Sequence, residues 1–300
     1  LQKLEIPGLV DRQTGKIICE DNKNEGMLYF LYGGKLGGIL LFLIFKRHWF
    51  SRLVGFYLSM AFSRRHIVSV AAKLQIDLLE AEKGVDQFSS FNDFFVRKLK
   101  KNARPVDGDK NNLVLPADGR VQVLESATGN FRIKGYEFSL AEFLGNRQLA
   151  ERYEKGPMVI VRLCPADYHR FHFPCAGVPS AAATIKGDLY SVHPIAMAGK
   201  RNIGALNERQ LTILETADFG KVLYVEIGAT VVGKIVQTYQ SYKEVEKGEE
   251  KGLFLLGGST VVLLFEPGFI KLDQDLVENT LKGLETRCLM GVRFARRQEK

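Results

Sequence analysis

"LFLLGGSTVVLLF", Leu253 to Phe265, places a small polar island, Gly257-Gly258-Ser259-Thr260, between two strongly apolar runs. Short apolar runs without helical spacing read as buried strands, and the second, from Val261, is too apolar for a surface loop. An ordinary hairpin here would carry Asn-Gly or Asp-Gly, so two glycines and a serine call for a chemical reason. Similar runs recur upstream at Leu113–Leu115, Arg120–Leu124, Met158–Leu163, Ala182–Ile185, Leu211–Leu214, Lys221–Ile227 and Thr230–Val236. One clear helix interrupts them at Ser139–Leu144, with Ser139 and Glu142 as its capping box and Gly145 as its stop. The pattern predicts an α+β fold with a β-rich body.

A chain of 300 residues, 46% apolar and 25% charged, folds as one large domain or as a domain with an accessory segment. Its formal charge of +8 points to an anionic partner, a nucleic acid or an acidic membrane surface. The basic residues cluster around apolar runs and show no aromatic-interleaved groove, which argues against nucleic acid. Cys19, Cys164, Cys175 and Cys288 form no CxxC pair and no cleavable signal peptide opens the sequence, so the expected setting is the cytoplasm or a surface facing it.

Between Gly26 and Ile76 there is no Asp or Glu. The runs Leu36–Phe45 and Leu53–Phe62 are each too short to cross a bilayer, which takes about 20 residues. Joining them would bury Lys46, Arg47 and Arg52 at roughly 2.5–3.5 kcal/mol each. Two helices lying in the interface cost less, and the cationic side chains add attraction to anionic lipid. His66–Ala81 continues as an amphipathic helix, with Ile67, Val70, Ala71, Leu74 and Leu78 on one stripe. Ser90 and Asp93 cap a further short helix, and Lys100–Asn112 reads as a linker. The expected division is a helical membrane-associating region, 1–85, and a catalytic domain, 86–300, at the cytoplasmic face of the cell membrane.

Three stretches could carry chemistry: "PADGR" (116–120), "CPADYHRFHFPC" (164–175) and the Gly-Gly-Ser-Thr island. Cys164, His169, His172 and Cys175 are competent zinc ligands, but structural zinc sites take paired ligands from separate turns. Pro165 and Pro174 favour an extended chain, in which His169 and His172 point to opposite faces. No metal is expected, and the two imidazoles have separate tasks. Asp118, His172 and Ser259 make a carboxylate–imidazole–hydroxyl set. Ser259 lacks the G-x-S-x-G elbow of a hydrolase; the carbonyl within its reach by construction is that of Gly258, which no Cβ shields.

With these residues in place, the sequence resembles the phosphatidylserine decarboxylase family, pyruvoyl-dependent enzymes made as self-cleaving proenzymes. The likeness runs through "FNDFFVRKLK", "PADG", "DYHRFHFP", "GDLYSV", "NER", "VEIGATVVGKI" and "LGGSTVVLLFEPG", in order from Phe91. It departs at Gly257, where many members have leucine, and at His193, where others often have asparagine. The resemblance implies cleavage between Gly258 and Ser259 into a β-chain (1–258) and an α-chain (259–300). Ser259 would attack the Gly258 carbonyl with His172 as base and Asp118 orienting it, then become a covalent pyruvoyl cofactor. It further implies decarboxylation of phosphatidylserine to phosphatidylethanolamine, with His169 as proton donor. The partners implied are that lipid, an anionic membrane surface and an α/β-chain heterodimer, with room for further dimerisation. Two other readings use the same residues: a serine hydrolase that stays one chain, and a β-rich binding module in which the island is only a turn.

Overall fold

The structure, a computed structural model, describes residues 8–18, 48–127, 130–133, 136–188, 207–228, 234–255 and 259–299. In chain order, β1 (Leu9–Asp11) and β2 (Ile17–Ile18) form a hairpin, followed by α1 (His48–Ser59), α2 (Ile67–Leu74) and α3 (Phe91–Phe95). Then come β3 (Asn112–Val114), β4 (Gly119–Leu124), β5 (Asn130–Ile133), β6 (Tyr136–Ser139), α4 (Leu140–Leu144) and α5 (Arg147–Tyr153). The body continues through β7 (Met158–Leu163), β8 (Arg170–His172), β9 (Val178–Pro179), β10 (Ala183–Ile185), β11 (Arg209–Glu215) and β12 (Lys221–Ile227). It closes with β13 (Lys234–Gln237), β14 (Glu250–Leu255), β15 (Ser259–Leu264), β16 (Ile270–Leu272), α6 (Gln274–Leu281), β17 (Glu285–Cys288) and β18 (Arg293–Arg297).

Among the described residues the largest sheet runs β10-β11-β12-β15-β7-β4-β17-β1-β2, with β9 beside β11. Every pairing is antiparallel except β1 with β17. Its central strands are apolar at nearly every position because both faces are covered. Val159, Val161 and Leu163 of β7, with Val261 and Leu263 of β15, face one core. The small sheets β13-β14-β8 and β16-β18-β3, together with α6, cover that core. Met158, Ile160, Val262 and Leu264 face the other, closed by Leu140, Phe143 and Leu144 of α4 and by Ala150 and Tyr153 of α5. The period of two along a strand thus feeds two cores from one run.

The β-rich α+β body agrees with the sequence, and Ser139 and Gly145 cap α4 as expected, Gly145 with φ +62°. Several details differ. α5 and α6, unmarked in the sequence reading, are two-turn helices with few inward residues. The helix expected over His66–Ala81 stops at Leu74, where Gln75 turns left-handed (φ 54°) and its N–H bonds the Ala71 and Ala72 carbonyls. Asp77 then caps a separate short turn, Leu78–Glu80. The N-terminal segment is not helical throughout: Leu9–Asp11 pairs with Glu285–Arg287 inside the main sheet. The stretch expected as a linker is mostly exposed and is tied to the body at Asp107, whose N–H donates to the Gly291 carbonyl at 3.0 Å.

Ile67, Ala71, Ala81, Phe88 and Phe94 form a small core of their own between α2 and α3. α1 leaves Trp49, Leu53, Phe56 and Tyr57 exposed. No helix among the described residues is long and apolar enough to cross a membrane. The run Leu36–Phe45 lies outside the described residues, as do Cys19, Gly257, Gly258 and His193.

Candidate active site

Ser259 is the first residue of β15 and sits opposite Leu163, the last residue of β7. On the other side of β7, Arg120 sits opposite Arg162. Gly119, which opens β4, comes so close that a Cβ there would meet the Arg162 carbonyl at 2.7 Å. The Asp-Gly of "PADGR" therefore lets the backbone close on β7 immediately after Asp118. Ser259 shares the side of β15 that carries Val261 and Leu263, the side covered by β8 and β14.

The histidine strand is hung over the same end of the sheet by backbone bonds. His172 N–H donates to the Pro116 carbonyl at 2.8 Å, and Phe254 N–H donates to the His169 carbonyl at 3.0 Å. A tight turn precedes it: Asp167 N–H donates to the Cys164 carbonyl at 2.9 Å, and Cys164 N–H donates to Asp167 Oδ2 at 2.6 Å. Arg120 pins that carboxylate from β4. The turn fixes the Cys164 carbonyl, which lies 3.1 Å from His169 Nε2. A carbonyl only accepts, so Nε2 carries the hydrogen and Nδ1 presents a lone pair. The His169 ring stacks on Phe95 of α3 at 4.0 Å.

Ser259 Oγ, His169 Nδ1 and His172 Nδ1 are buried and, among the described residues, have no hydrogen-bond partner. Buried polar groups are normally satisfied, and exceptions mark catalytic sites or strain. Burial pushes both imidazoles down to about 4, against the charge of Asp167 for His169 and of Glu250 for His172. Both are neutral at pH 7, the state in which an imidazole can take a proton.

Asp118 is placed differently. Its carboxylate accepts from Arg104 Nε and Nη2 at 2.7–2.9 Å and from Met290 N–H at 2.8 Å. Burial raises its pKa, while Arg104 and the Met290 N–H act in the opposite direction. No hydrogen bond links Asp118 to His172 or His172 to Ser259. Strand pairing puts Asp118 and Ser259 at the same end of β7, and the backbone bond from His172 to Pro116 ties β8 to the stretch just before Asp118; the links between the three side chains are open. The four residues weighed as zinc ligands do not converge: Cys164 Sγ takes a bond from Arg162 Nη1 at 3.0 Å. Among the described residues no three His, Cys, Asp or Glu side chains form a metal set.

Sequence reasoning missed Arg104, the Phe95 stack and a buried pair. Lys251 and Glu226, both fully buried, form an ion pair; Lys251 also donates to Thr212 at 3.0 Å and Gln237 at 2.9 Å. The lysine stands over the Tyr224 and Tyr239 rings. Phe95 and Glu226 lie inside motifs already singled out; Arg104, before a proline in a polar run, carries no pattern that marks it.

Known proteins are similar to this chain along most of its length. Residues 91–296 match the family described as phosphatidylserine decarboxylase. A protein of Chlamydia pneumoniae is 43% identical over 98% of this chain and 99% of its own length. One of Fusobacterium nucleatum is 43% identical over 95% and 96%, and one of Clostridium kluyveri 42% identical over 94% and 96%. Each of the three is named phosphatidylserine decarboxylase proenzyme. The buried hydroxyl and neutral imidazoles at the end of a β-rich body thus belong to an enzyme, and that enzyme is a decarboxylase. The chain is a member of the phosphatidylserine decarboxylase family.

Proposed function

We propose that the chain cuts itself between Gly258 and Ser259 and then decarboxylates phosphatidylserine to phosphatidylethanolamine with a pyruvoyl group made from Ser259. The observation that carries this reading is the fully buried Ser259 hydroxyl, without a partner among the described residues, at the head of a central strand and on the face that the histidine strand β8 helps to cover. A hydroxyl consumed in making a backbone carbonyl has no need of a permanent partner.

In the first reaction Ser259 Oγ attacks the Gly258 carbonyl carbon and gives its proton to neutral His172. His172 returns the proton to the Ser259 nitrogen as the C–N bond breaks, leaving an ester. Loss of the Ser259 Cα proton expels the Gly258 carboxylate and leaves dehydroalanine at position 259. Its imine tautomer takes up water and releases ammonia, so the new chain begins with a ketone. Asp118 orients His172 and stabilises the imidazolium, which requires the two side chains to close on each other. Once formed, the pyruvoyl carbonyl supplies the electron sink for the electrons released with CO2. His169, with Nε2 fixed on Cys164 and the Nδ1 lone pair open, takes up at Nδ1 a proton that the substrate's ammonium group gives up and delivers it to the carbon that has lost its carboxylate.

The substrate is a lipid, so the site has to meet a bilayer. The acid-free segment and the exposed apolar side chains of α1 support peripheral attachment to an anionic surface, at the cytoplasmic face of the cell membrane. The two chains would remain together as a heterodimer.

A denaturing mass spectrum tests the reading. The wild type should give residues 1–258 and 259–300, the shorter blocked to N-terminal sequencing, and Ser259→Ala should give one inactive chain. His172→Ala should stop cleavage; His169→Ala should cleave and fail to release CO2. An active wild type that remains one chain would show that the serine works as a hydrolase nucleophile instead.

A further inference from the structure

Arg104 is a fully engaged cation near the site, and nothing in the proposed chemistry uses it. On one edge its Nε donates to both Asp118 oxygens at 2.9 Å and its Nη2 to Oδ2 at 2.7 Å. On the other, Nη1 and Nη2 donate to the two Glu80 oxygens at 2.9 and 3.0 Å. The remaining Nη1 hydrogen goes to the Ala103 carbonyl at 2.7 Å. All the donors of the guanidinium are thereby committed, in a flat two-sided fork that an ammonium does not reproduce. The Arg104 side chain is 9% exposed and that of Asp118 5%.

Glu80 is firmly placed as well. It ends the turn capped by Asp77 in the N-terminal helical segment, and its carbonyl accepts from Lys100 N–H at 2.9 Å. We propose that Arg104 is the positioning residue for Asp118 in self-cleavage and that Glu80 anchors it, so one guanidinium joins the N-terminal helical segment to the cleavage site. This rests on the reading in which Asp118 serves His172.

The physical reason is desolvation. A buried carboxylate without a counter-charge takes up a proton, and a neutral carboxyl does not stabilise an imidazolium. Other groups also act on Asp118. Asp167 raises it, while Arg97 and Tyr168 feel its charge from the α3 side and from the histidine segment. Among the described residues, Arg104 is the one whose side chain donates hydrogen bonds to it. Burial by itself would lower the Arg104 guanidinium, yet its bonds to Asp118 and Glu80 raise it.

The test follows cleavage of the full chain, made by cell-free translation and shifted to buffers from mildly acidic to mildly alkaline, on denaturing gels. Arg104→Ala should move the acid limb of the cleavage rate upward by about 1–3 pH units and slow cleavage at neutral pH about tenfold or more. Arg104→Lys should restore the acid limb and recover only part of the rate, because the charge returns without the fork. Glu80→Gln should slow cleavage less than Arg104→Ala. Asp118→Asn is run alongside: if it cleaves like wild type, the role given to Asp118 fails and this inference with it. If Asp118→Asn is slow while Arg104→Ala keeps the wild-type rate and pH profile, this inference alone is overturned. Should Arg104→Ala fail to fold, Arg104→Lys and Glu80→Gln decide, and wild-type behaviour in both overturns it.

Discussion

At the scale of single residues, the site is defined by groups kept from their usual charge. His169 and His172 sit near 4 because burial disfavours the imidazolium, whereas an unfolded histidine titrates near 6.5. Between those values, falling pH protonates the unfolded chain and not the folded one, so stability is lost across that window and the histidine contribution is flat below it. The uncleaved Ser259→Ala chain, titrated with urea at a series of pH values, should lose stability from about pH 6.5 to 4. Adding His172→Gln should reduce the slope there, and an unchanged slope would mean that His172 is not held neutral. Ser259, His172 and Asp118 could be picked out in the sequence as candidates because hydroxyl, imidazole and carboxylate side chains are chemically distinctive. Arg104 could not, because its meaning lies in two carboxylates from distant parts of the chain, Glu80 and Asp118. Nor did the sequence show that Asp118 would be turned toward Arg104 and not toward His172.

At the scale of elements, legibility followed the length of the apolar run. β7, β12 and β15 announced themselves, since strands buried on both faces have nowhere to place a charge without a partner, and β4 by its alternation of buried Val121 and Val123 with Arg120 and Gln122. β8, β16 and β18 did not: each is short, and Arg170 of β8 is held by Glu250, so its sequence looks polar. α5 and α6 carried usable caps, Asn146 accepting from Leu149 N–H and Asp273 preceding Gln274, but each turns only two or three apolar residues inward. The segment after Ser259 is woven through three places: β15 between β12 and β7, β17 between β1 and β4, and β18 between β16 and β3. Cleavage before Ser259 should therefore not release it. On a native sizing column the two chains should elute together and part only in denaturant; recovery of the shorter chain alone without denaturant would contradict the pairing.

At the scale of the whole molecule, six exposed apolar side chains gather on α1 and the turn after it: Trp49, Leu53, Phe56, Tyr57, Met60 and Phe62. A patch of that kind marks an interaction surface, and the neighbouring Arg52, Arg64 and Arg65 suit an anionic bilayer. Binding to anionic vesicles should exceed binding to neutral ones. It should fall but persist in 1 M salt, where the Debye length is about 3 Å. Truncation of the N-terminal segment is a poor test, because Leu9–Asp11 completes part of the sheet and Arg12 bonds Asp273 and Asp275. Replacing Leu53 and Phe56 by serine is cleaner: activity on vesicles should drop much more than activity on detergent-dispersed short-chain lipid, and equal losses would assign α1 to the folded core. The Met290 N–H on Asp118 carries a different consequence, one of timing. Ser259 is added to the growing chain 31 residues before Met290, and β17, which flanks β4, comes between them. A nascent chain holding every residue of the scission chemistry still lacks the donor that finishes the environment of its carboxylate. Under the proposed mechanism, translation runs past residue 290 before the peptide bond at 258 is at risk, and an interrupted product stays whole and inert.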